Sequence, residues 1–397
     1  MICFNFNNDC TGCRACADVC PKHCISFKED NDGFVMPSFV EARCINCGYC
    51  ERVCPAQNYQ VEPYAERKCY VVYHKNDKIR ADGSSGSVFY ALAEMVIEKL
   101  RGEVYAAAFD DNLQLHHIRA IDMDGVHLQM KSKYIQSDTS GIYNQILIAL
   151  RGGKEVLFVG TPCQCQALHN MTPPQMREKL LLVDFICHGV PSQDLFNKSI
   201  KQFEQDNKGK VLSFSFREKT KETLRNYKII YKASDGQTLT RIGDLDEIHF
   251  CVGYFNHLTI RNSCYQCKQR TIERAADVTL GDFWGISEIC PELADCEKGY
   301  SSLIVNTEKG GRIVELLSSC VINEVPDGVR FVTTHNRAYT TAENKSLMRN
   351  VFFWCLRHLG YKYCEKHFLT MSPPLLDRLL NSIVIRIDRI RNFSLYG

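Results

Sequence analysis

The chain has 397 residues, 45% hydrophobic and 24% charged, with a formal charge of +2. That length accommodates two or three domains, and the composition excludes a disordered or low-complexity protein. Near-neutral charge excludes the strong basic excess of nucleic-acid-binding domains, and no run of about 18 apolar residues predicts a membrane span.

Twenty-two cysteines are too many for incidental packing and too dilute for a short secreted disulfide framework, where cysteine exceeds about 8–10%. Ten lie within the first 54 residues, which concentrates them where chemistry is wanted. Met1 to Cys10 has neither a basic region nor an apolar signal core, so a cytoplasmic, thiol-reducing location is the expectation.

In chain order, the first feature is a repeat. Cys10-Thr-Gly-Cys13-Arg-Ala-Cys16-Ala-Asp-Val-Cys20-Pro21 overlays Cys44-Ile-Asn-Cys47-Gly-Tyr-Cys50-Glu-Arg-Val-Cys54-Pro55, 34 residues later. Between the copies, Ile25 to Lys28 and Gly33 to Met36 read as strands around an Asn31-Asp32-Gly33 turn. A polar stretch from Gln57 to Arg67 reads as a linker. From Cys69 to about Thr307, apolar runs alternate with amphipathic segments as in an α/β domain. Strands are expected at Tyr70 to Tyr73, Val104 to Phe109, Val156 to Val159, Leu180 to Ile186 and Asp277 to Leu280. Helices are expected at Ser87 to Leu100, Ser140 to Leu150, Pro191 to Gln205 and Gly310 to Ser318. Alternation in Val211 to Phe216, Tyr227 to Lys232 and Thr238 to Ile242 predicts an antiparallel addition.

From Asn336 onward ten Lys or Arg face four Asp or Glu. Leu375, Leu376, Leu379, Leu380, Ile383, Val384, Ile387 and Ile390 recur at helical spacing among Arg378, Arg386, Arg389 and Arg391, an amphipathic basic helix. Docking on its own core competes with a peripheral membrane or partner contact. The expected fold class is an α+β ferredoxin-like N-terminal domain (1–60), then an α/β domain with a mixed sheet (68–320, in parts of about 68–150 and 151–320), then a helical basic tail (335–397).

A cubane 4Fe-4S cluster needs four thiolates, and C-x-x-C-x-x-C wraps three of them around it from one loop. In two-cluster ferredoxins the cysteine of the following C-P ligates the other cluster. This assigns Cys10, Cys13, Cys16 and Cys54 to one site and Cys44, Cys47, Cys50 and Cys20 to the other. Zinc ligands come more often in C-x-x-C pairs. A third set arises where Cys163 and Cys187 follow two apolar strands, whose carboxyl ends share one edge in an open sheet. Cys264-x-x-Cys267 completes a tetrathiolate shell, although zinc or four unrelated buried thiols have the same spacing. Cys165, two positions beyond Cys163, is either a buried thiol or a redox group. Ala81 to Ser87 precedes a helix, as a phosphate-binding loop or an ordinary cap does. Lys133, Tyr134, Gln136 and Ser137 suit a dinucleotide and equally an ordinary strand.

Read in order, Gly83-Ser-Ser-Gly86, Ser132-Lys-Tyr-Ile-Gln-Ser137, Gly160-Thr-Pro-Cys-Gln164, Cys187-His-Gly-Val-Pro-Ser192, Phe216-Arg-Glu-Lys219, Cys264-x-x-Cys267 and Gly281-Asp-Phe-Trp-Gly285 resemble the coenzyme F420 hydrogenase/dehydrogenase beta-subunit family. Joined to the ferredoxin-type repeat, the resemblance spans residues 1 to about 320. It implies FAD beside a 4Fe-4S cluster, with Gly83, Ser84, Ser85, Gly86, Ser87, Lys133, Tyr134, Gln136 and Ser137 at FAD. It also gives Cys163, Cys187, Cys264 and Cys267 to the third cluster.

Three features depart from the family pattern. Cys165 stands where an aliphatic residue is expected, Thr223 to Asn226 where a Gly-Trp pair is common, and the basic tail matches no shared motif. The coenzyme in the family's name does not follow from these residues. The expected function is an iron-sulfur flavoprotein oxidoreductase that takes electrons from ferredoxin or another redox protein and passes them to a small-molecule acceptor. Its rivals are an electron-relay subunit without a substrate site and a thiol-active reductase using Cys165. His188 is a candidate proton donor or a structural histidine, and Asp282 and Trp284 are candidate lining residues of the flavin pocket or parts of a turn.

Overall fold

The computed structural model describes residues 9–59, 61, 63–220, 223–293 and 298–370. In the N-terminal unit, β1 (Ile25–Glu29) pairs antiparallel with β2 (Val35–Phe39), Ile25 opposite Phe39. The predicted turn between them closes because the Asp30 carboxylate accepts the N–H groups of Asp32 and Phe34, both at 2.9 Å. Gly33, at φ +79°, takes the left-handed position there that side chains resist.

The large domain is built on an eight-stranded mixed sheet. In chain order its strands are β3 (Cys69–His74), β4 (Glu103–Phe109), β5 (Leu115–Ala120), β6 (Val156–Val159), β7 (Leu180–Phe185), β11 (Val278–Asp282), β12 (Ser301–Val305) and β13 (Cys320–Glu324). Their spatial order is β13-β3-β12-β11-β7-β6-β4-β5. The four central strands, β4, β6, β7 and β11, run parallel, and the flanking pairs are antiparallel.

Alternate residues of the parallel strands bury on opposite faces, which explains their continuous apolar runs. Val104, Leu157, Leu181, Val183 and Val278 enter one core with Ala91, Leu92 and Val96. Tyr105, Val156, Phe158, Leu180 and Leu182 enter the other, where Cys13, Ala15 and Val53 of the N-terminal unit join them. Burying a side chain such as Phe158 is worth about 2–3 kcal/mol, so the first cysteine loop is anchored through the sheet's own core.

Where strands were expected, strands form, with ends shifted by at most three residues. The segment Ser87 to Leu100 is an α-helix only over Val88–Glu94 and widens into a π-helical turn at Met95–Lys99, where β-branched Val96 and Ile97 are buried. The three alternating stretches form a separate antiparallel sheet of β8 (Gly209–Glu218), β9 (Asn226–Ala233) and β10 (Thr238–Asp244), in the order β10-β9-β8. Helices Leu347–His358 and Tyr361–His367 precede the basic amphipathic stretch, which lies outside the described residues. Among the described residues no helix is long and apolar enough to cross a membrane.

Candidate iron-sulfur and redox site

The two N-terminal cysteine loops share one backbone design. Gly12 (φ +69°) and Arg14 (φ +63°) are left-handed in the first, and Asn46 (φ +52°) and Gly48 (φ +73°) occupy the same repeat positions in the second. The bend turns the Gly12 N–H toward Cys10 Sγ at 3.4 Å and the Asn46 N–H toward Cys44 Sγ at 3.5 Å. Short helices, Ala15–Asp18 and Tyr49–Val53, then carry the third cysteine of each loop.

The chain brings together the quartets that cross-ligation demands. Burial raises the Cys13 thiol far above its ordinary range, and Cys54, Cys16 and Cys10 act on it in the same direction. Burial likewise raises Cys54, with Cys10 and Cys50 adding to it. Cys10, Cys13, Cys16 and Cys54 therefore face one another. The second quartet, Cys20, Cys44, Cys47 and Cys50, lines one cavity of about 170 Å³. A fifth thiol that the spacing did not single out lines it too: Cys24 Sγ lies 3.3 Å from Cys20 Sγ. Cys44 and Cys47 are exposed, beside exposed Val40, Ile45 and Tyr49. Cys16 and Cys54 both sense Cys50, which puts the two quartets side by side.

The N-terminal unit is fastened to the large domain at the first quartet. Thr139 Oγ1 donates to the Cys13 carbonyl at 2.8 Å, and Gln136 Nε2 to the Thr11 carbonyl at 2.8 Å. The buried Arg261 guanidinium donates to the carbonyls of Cys10 (3.3 Å) and Val35 (2.9 Å). Arg14 pairs with Asp138 at 3.0 Å, and Arg349, 1% exposed, pairs with Asp32 at 3.2 Å.

The third quartet sits at the carboxyl ends of adjacent parallel strands, as strand order alone suggested. After β6, Thr161 caps the helix Pro162–Met171 reciprocally with Gln164, which fixes Cys163 in the first turn. Cys163 Sγ lies 3.1 Å from Thr161 Oγ1. Cys187 follows β7, and its sulfur receives the Gly189 N–H at 3.4 Å. Gly189 has φ +98°, and a Cβ there would come within 3.2 Å of the Cys264 Cβ. Burial raises the Cys163 thiol far up, and Cys267, Cys13 and Cys187 add to it. Burial also lifts Cys264 to about 12, with Cys187 and Cys267 contributing. Cys163, Cys187, Cys264 and Cys267 thus form one group, and Cys13 links it to the first quartet. Cys165 is elsewhere: it packs in the core beside Tyr105 and Tyr143, with Sγ toward the Val183 carbonyl at 3.4 Å.

These residues fit clusters in three ways. They come in fours, the thiols of the first and third quartets repel one another in a way that a metal core relieves, and backbone N–H groups point at the Cys10, Cys44 and Cys187 sulfurs. Among the described residues, no three His, Cys, Asp or Glu side chains are arranged to hold a single metal ion.

Next to the third quartet lies a polar cluster. Asp282, at the end of β11, pairs with Arg217 at 3.0 Å, and Arg217 donates to the Tyr134 hydroxyl at 3.1 Å. Burial pushes Asp282 up, but Arg217 outweighs it and holds the carboxyl below its ordinary value. Tyr134 stacks on Tyr254 at 5.1 Å, and Tyr254 senses the thiols of Cys187 and Cys264. His188 lies between the rings of His257 (6.4 Å) and Trp284 (5.7 Å). Burial, helped by Arg270 and His257, lowers it to about 4, so it is neutral at pH 7.

The segments expected at FAD are already engaged. Ser84 Oγ accepts from the Ser132 N–H at 3.0 Å, Ser85 donates to the Tyr300 carbonyl, and Ser87 to the Ile79 carbonyl at 3.0 Å. Gly83 and Gly86 are held close, since a Cβ on Gly86 would meet the Val72 carbonyl at 2.2 Å. Lys133 Nζ is enclosed by the carbonyls of Ala107, Gln129 and Met130. Gln136 serves the N-terminal unit, and Ser137 accepts from Gln164 at 3.1 Å. Of these, Tyr134 stands by Asp282 through Arg217, and the Ser85 hydroxyl is a hydrogen-bond neighbour of Asp282 itself.

Around that loop stand cations the sequence reading missed. Arg80, 4% exposed, is sandwiched between Tyr73 and Tyr300 and donates to the Gly299 carbonyl. Lys219 Nζ reaches the carbonyls of Arg80, Ser85 and Lys298. Burial first, then Arg80 and Arg217, lowers Lys219 to about 7. Together these groups make a cluster of positive charge suited to an anion.

Two parts of the chain match known families. Residues 9–74 match the family described as 4Fe-4S dicluster domain. Residues 153–326 match the family described as the C terminus of the beta subunit of Coenzyme F420 hydrogenase/dehydrogenase. A search of curated proteins finds no match. Among solved structures, a chain of the F420-reducing NiFe hydrogenase complex from Methanosarcina barkeri, from a xenon-derivatization study, aligns at 18% identity and a TM-score of 0.44. The alignment covers 70% of this chain and 90% of that one. Residues 9–74 are thus similar to 4Fe-4S dicluster domains and residues 153–326 to the C terminus of coenzyme F420 hydrogenase/dehydrogenase beta subunits, so the chain joins an iron-sulfur part to a part related to an oxidoreductase subunit.

Proposed function

We propose that this chain takes single electrons from ferredoxin or another redox protein at its exposed second quartet and delivers them in pairs to a small-molecule acceptor, with FAD beside the Asp282 cluster. One observation carries the reading: three cysteine quartets stand in a row, linked by Cys50 beside Cys16 and by Cys13 beside Cys163, with the solvent-facing quartet at one end. Clusters supply one-electron steps and a flavin gathers two. Cys44 and Cys47 present the outer site to a partner, while Thr139 and Arg261 keep the first quartet fixed against the third.

On this reading Lys219 and Arg80 hold an anionic group of the flavin, Tyr134 offers a ring face, and Arg217, locked by Asp282, orients a polar edge. Neutral His188 holds a proton only at one ring nitrogen, so its part is to accept or donate one hydrogen bond beside Cys187. The domain limits suggested by the sequence belong to the same proposal, with one correction: the helices Leu347–His358 and Tyr361–His367 pack into one core with Phe196 and Phe250, so only the basic stretch beyond residue 370 is left as a separate docking element.

A relay subunit without a substrate site is the second reading, and it is favoured by the Ser84, Ser85 and Ser87 hydroxyls being spent inside the chain. Anaerobic purification separates the two. Bound flavin that dithionite reduces and a small organic acceptor reoxidises supports the first, and a full complement of iron without flavin supports the relay.

A further inference from the structure

The inner side of the helix Leu347–His358 is held by the core. Phe352, Phe353, Cys355 and Leu356 are buried, Phe353 lies 6.1 Å from Phe34, and Arg349 and Arg357 both pair with Asp32. Val351 (45% exposed) and Trp354 (52%) come out on the other side, three residues apart and so on one stripe, with exposed His358 next along it. The Trp354 and His358 rings lie 4.8 Å apart. Leu359 is exposed at the end of this helix, and on the next, Tyr361–His367, Tyr361 and Cys364 are buried while Lys362, Tyr363 and Lys366 face out. Lys362 pairs with Asp206 at 3.2 Å, but both side chains are open to water, where such a pair is weak and yields to another anion.

Exposed tryptophan, tyrosine and leucine among lysines suit the boundary of a bilayer: apolar bodies enter the headgroup layer and ammonium groups stay at the phosphates. The sequence continues this character. Beyond residue 370, Leu375 to Ile390 carry apolar residues at helical spacing among Arg378, Arg386, Arg389 and Arg391. From Leu347 to Gly397 eight Lys or Arg stand against three Asp or Glu, +5, which leaves −3 of the total of +2 for the rest of the chain. Such an asymmetry turns this end of the molecule toward an anionic surface and the remainder away from it.

We propose that the face of Val351, Trp354, Leu359 and Tyr363, with Lys362, Lys366 and the basic stretch that follows, docks this chain on the surface of a bilayer containing anionic lipid. The contact is peripheral, since no helix among the described residues is long and apolar enough to cross a membrane.

The full chain, purified anaerobically, is sedimented with vesicles of phosphatidylcholine and phosphatidylglycerol, about 7:3, and with vesicles of phosphatidylcholine alone. Binding should favour the anionic vesicles and fade as salt rises. Val351→Ser/Trp354→Ser should weaken it by about tenfold, the worth of the apolar surface that enters the headgroup layer. Lys362→Ala/Lys366→Ala should weaken it by about 25-fold, at about fivefold per lysine, and decides the matter if the first variant loses iron. The part of the tryptophan emission that Trp354→Phe removes should move to shorter wavelength when anionic vesicles are added. Equal binding to both kinds of vesicle, or wild-type binding by both double variants, overturns the proposal. So does Trp354 emission that vesicles leave unmoved, which would put another part of this chain, or another protein, on that face.

Discussion

Lys219 shows how much a single charge can reveal. Its ammonium is held by three backbone carbonyls and by no carboxylate among the described residues, and burial has brought it to about 7. A group with so low a folded value is charged below pH 7 and neutral above it, so it grips an anion best at low pH. Flavin affinity should fall as pH rises through about 7, and Lys219→Met should weaken flavin binding by about 10-fold, the worth of one nearby positive charge. Flavin fluorescence titration at several pH values measures both. That Lys219 stands at the 81–87 loop was not legible, because tertiary packing brings it there from elsewhere in the chain. The eight N-terminal cysteines were legible because their ligand geometry is written in local spacing.

Among the elements, β7 ties the sheet to the third quartet. Asp184 on this strand accepts from Thr279 Oγ1 at 2.6 Å and pairs with Arg274 at 3.1 Å, both charged side chains being at most 2% exposed. Asp184→Ala leaves the Arg274 charge buried and unpaired, a loss of about 3–5 kcal/mol in chemical denaturation. The parallel strands could be read from sequence because burial on both faces makes them continuously apolar. By contrast, β5 (Leu-His-His-Ile-Arg-Ala) and β12, which opens with Ser301 and Ser302, were missed. Their polar residues are accommodated by neighbours, as where His117 stacks on Phe158 at 5.1 Å. The helix Pro162–Met171 was missed for another reason: its first turn carries Cys163 and Cys165, and its apolar periodicity is weak.

At the level of the whole molecule, the quartets are joined because the N-terminal unit is pinned by polar contacts rather than left on its linker. Arg261→Ala removes the donor to the Cys10 and Val35 carbonyls and to Gln136, and should loosen that unit by about 2–3 kcal/mol. Limited proteolysis in the 57–67 stretch should then accelerate, while the iron of the third site stays. This docking was invisible in the sequence, where Arg261 and Gln136 sit 125 positions apart.

The most direct measurement is iron per chain after strictly oxygen-free purification, in the wild type and in Cys163→Ser/Cys187→Ser. Three four-thiolate sites predict about twelve atoms in the wild type and about eight in the variant, with the signals of the two N-terminal clusters retained. Eight atoms in both proteins, or zinc in place of iron, would contradict it.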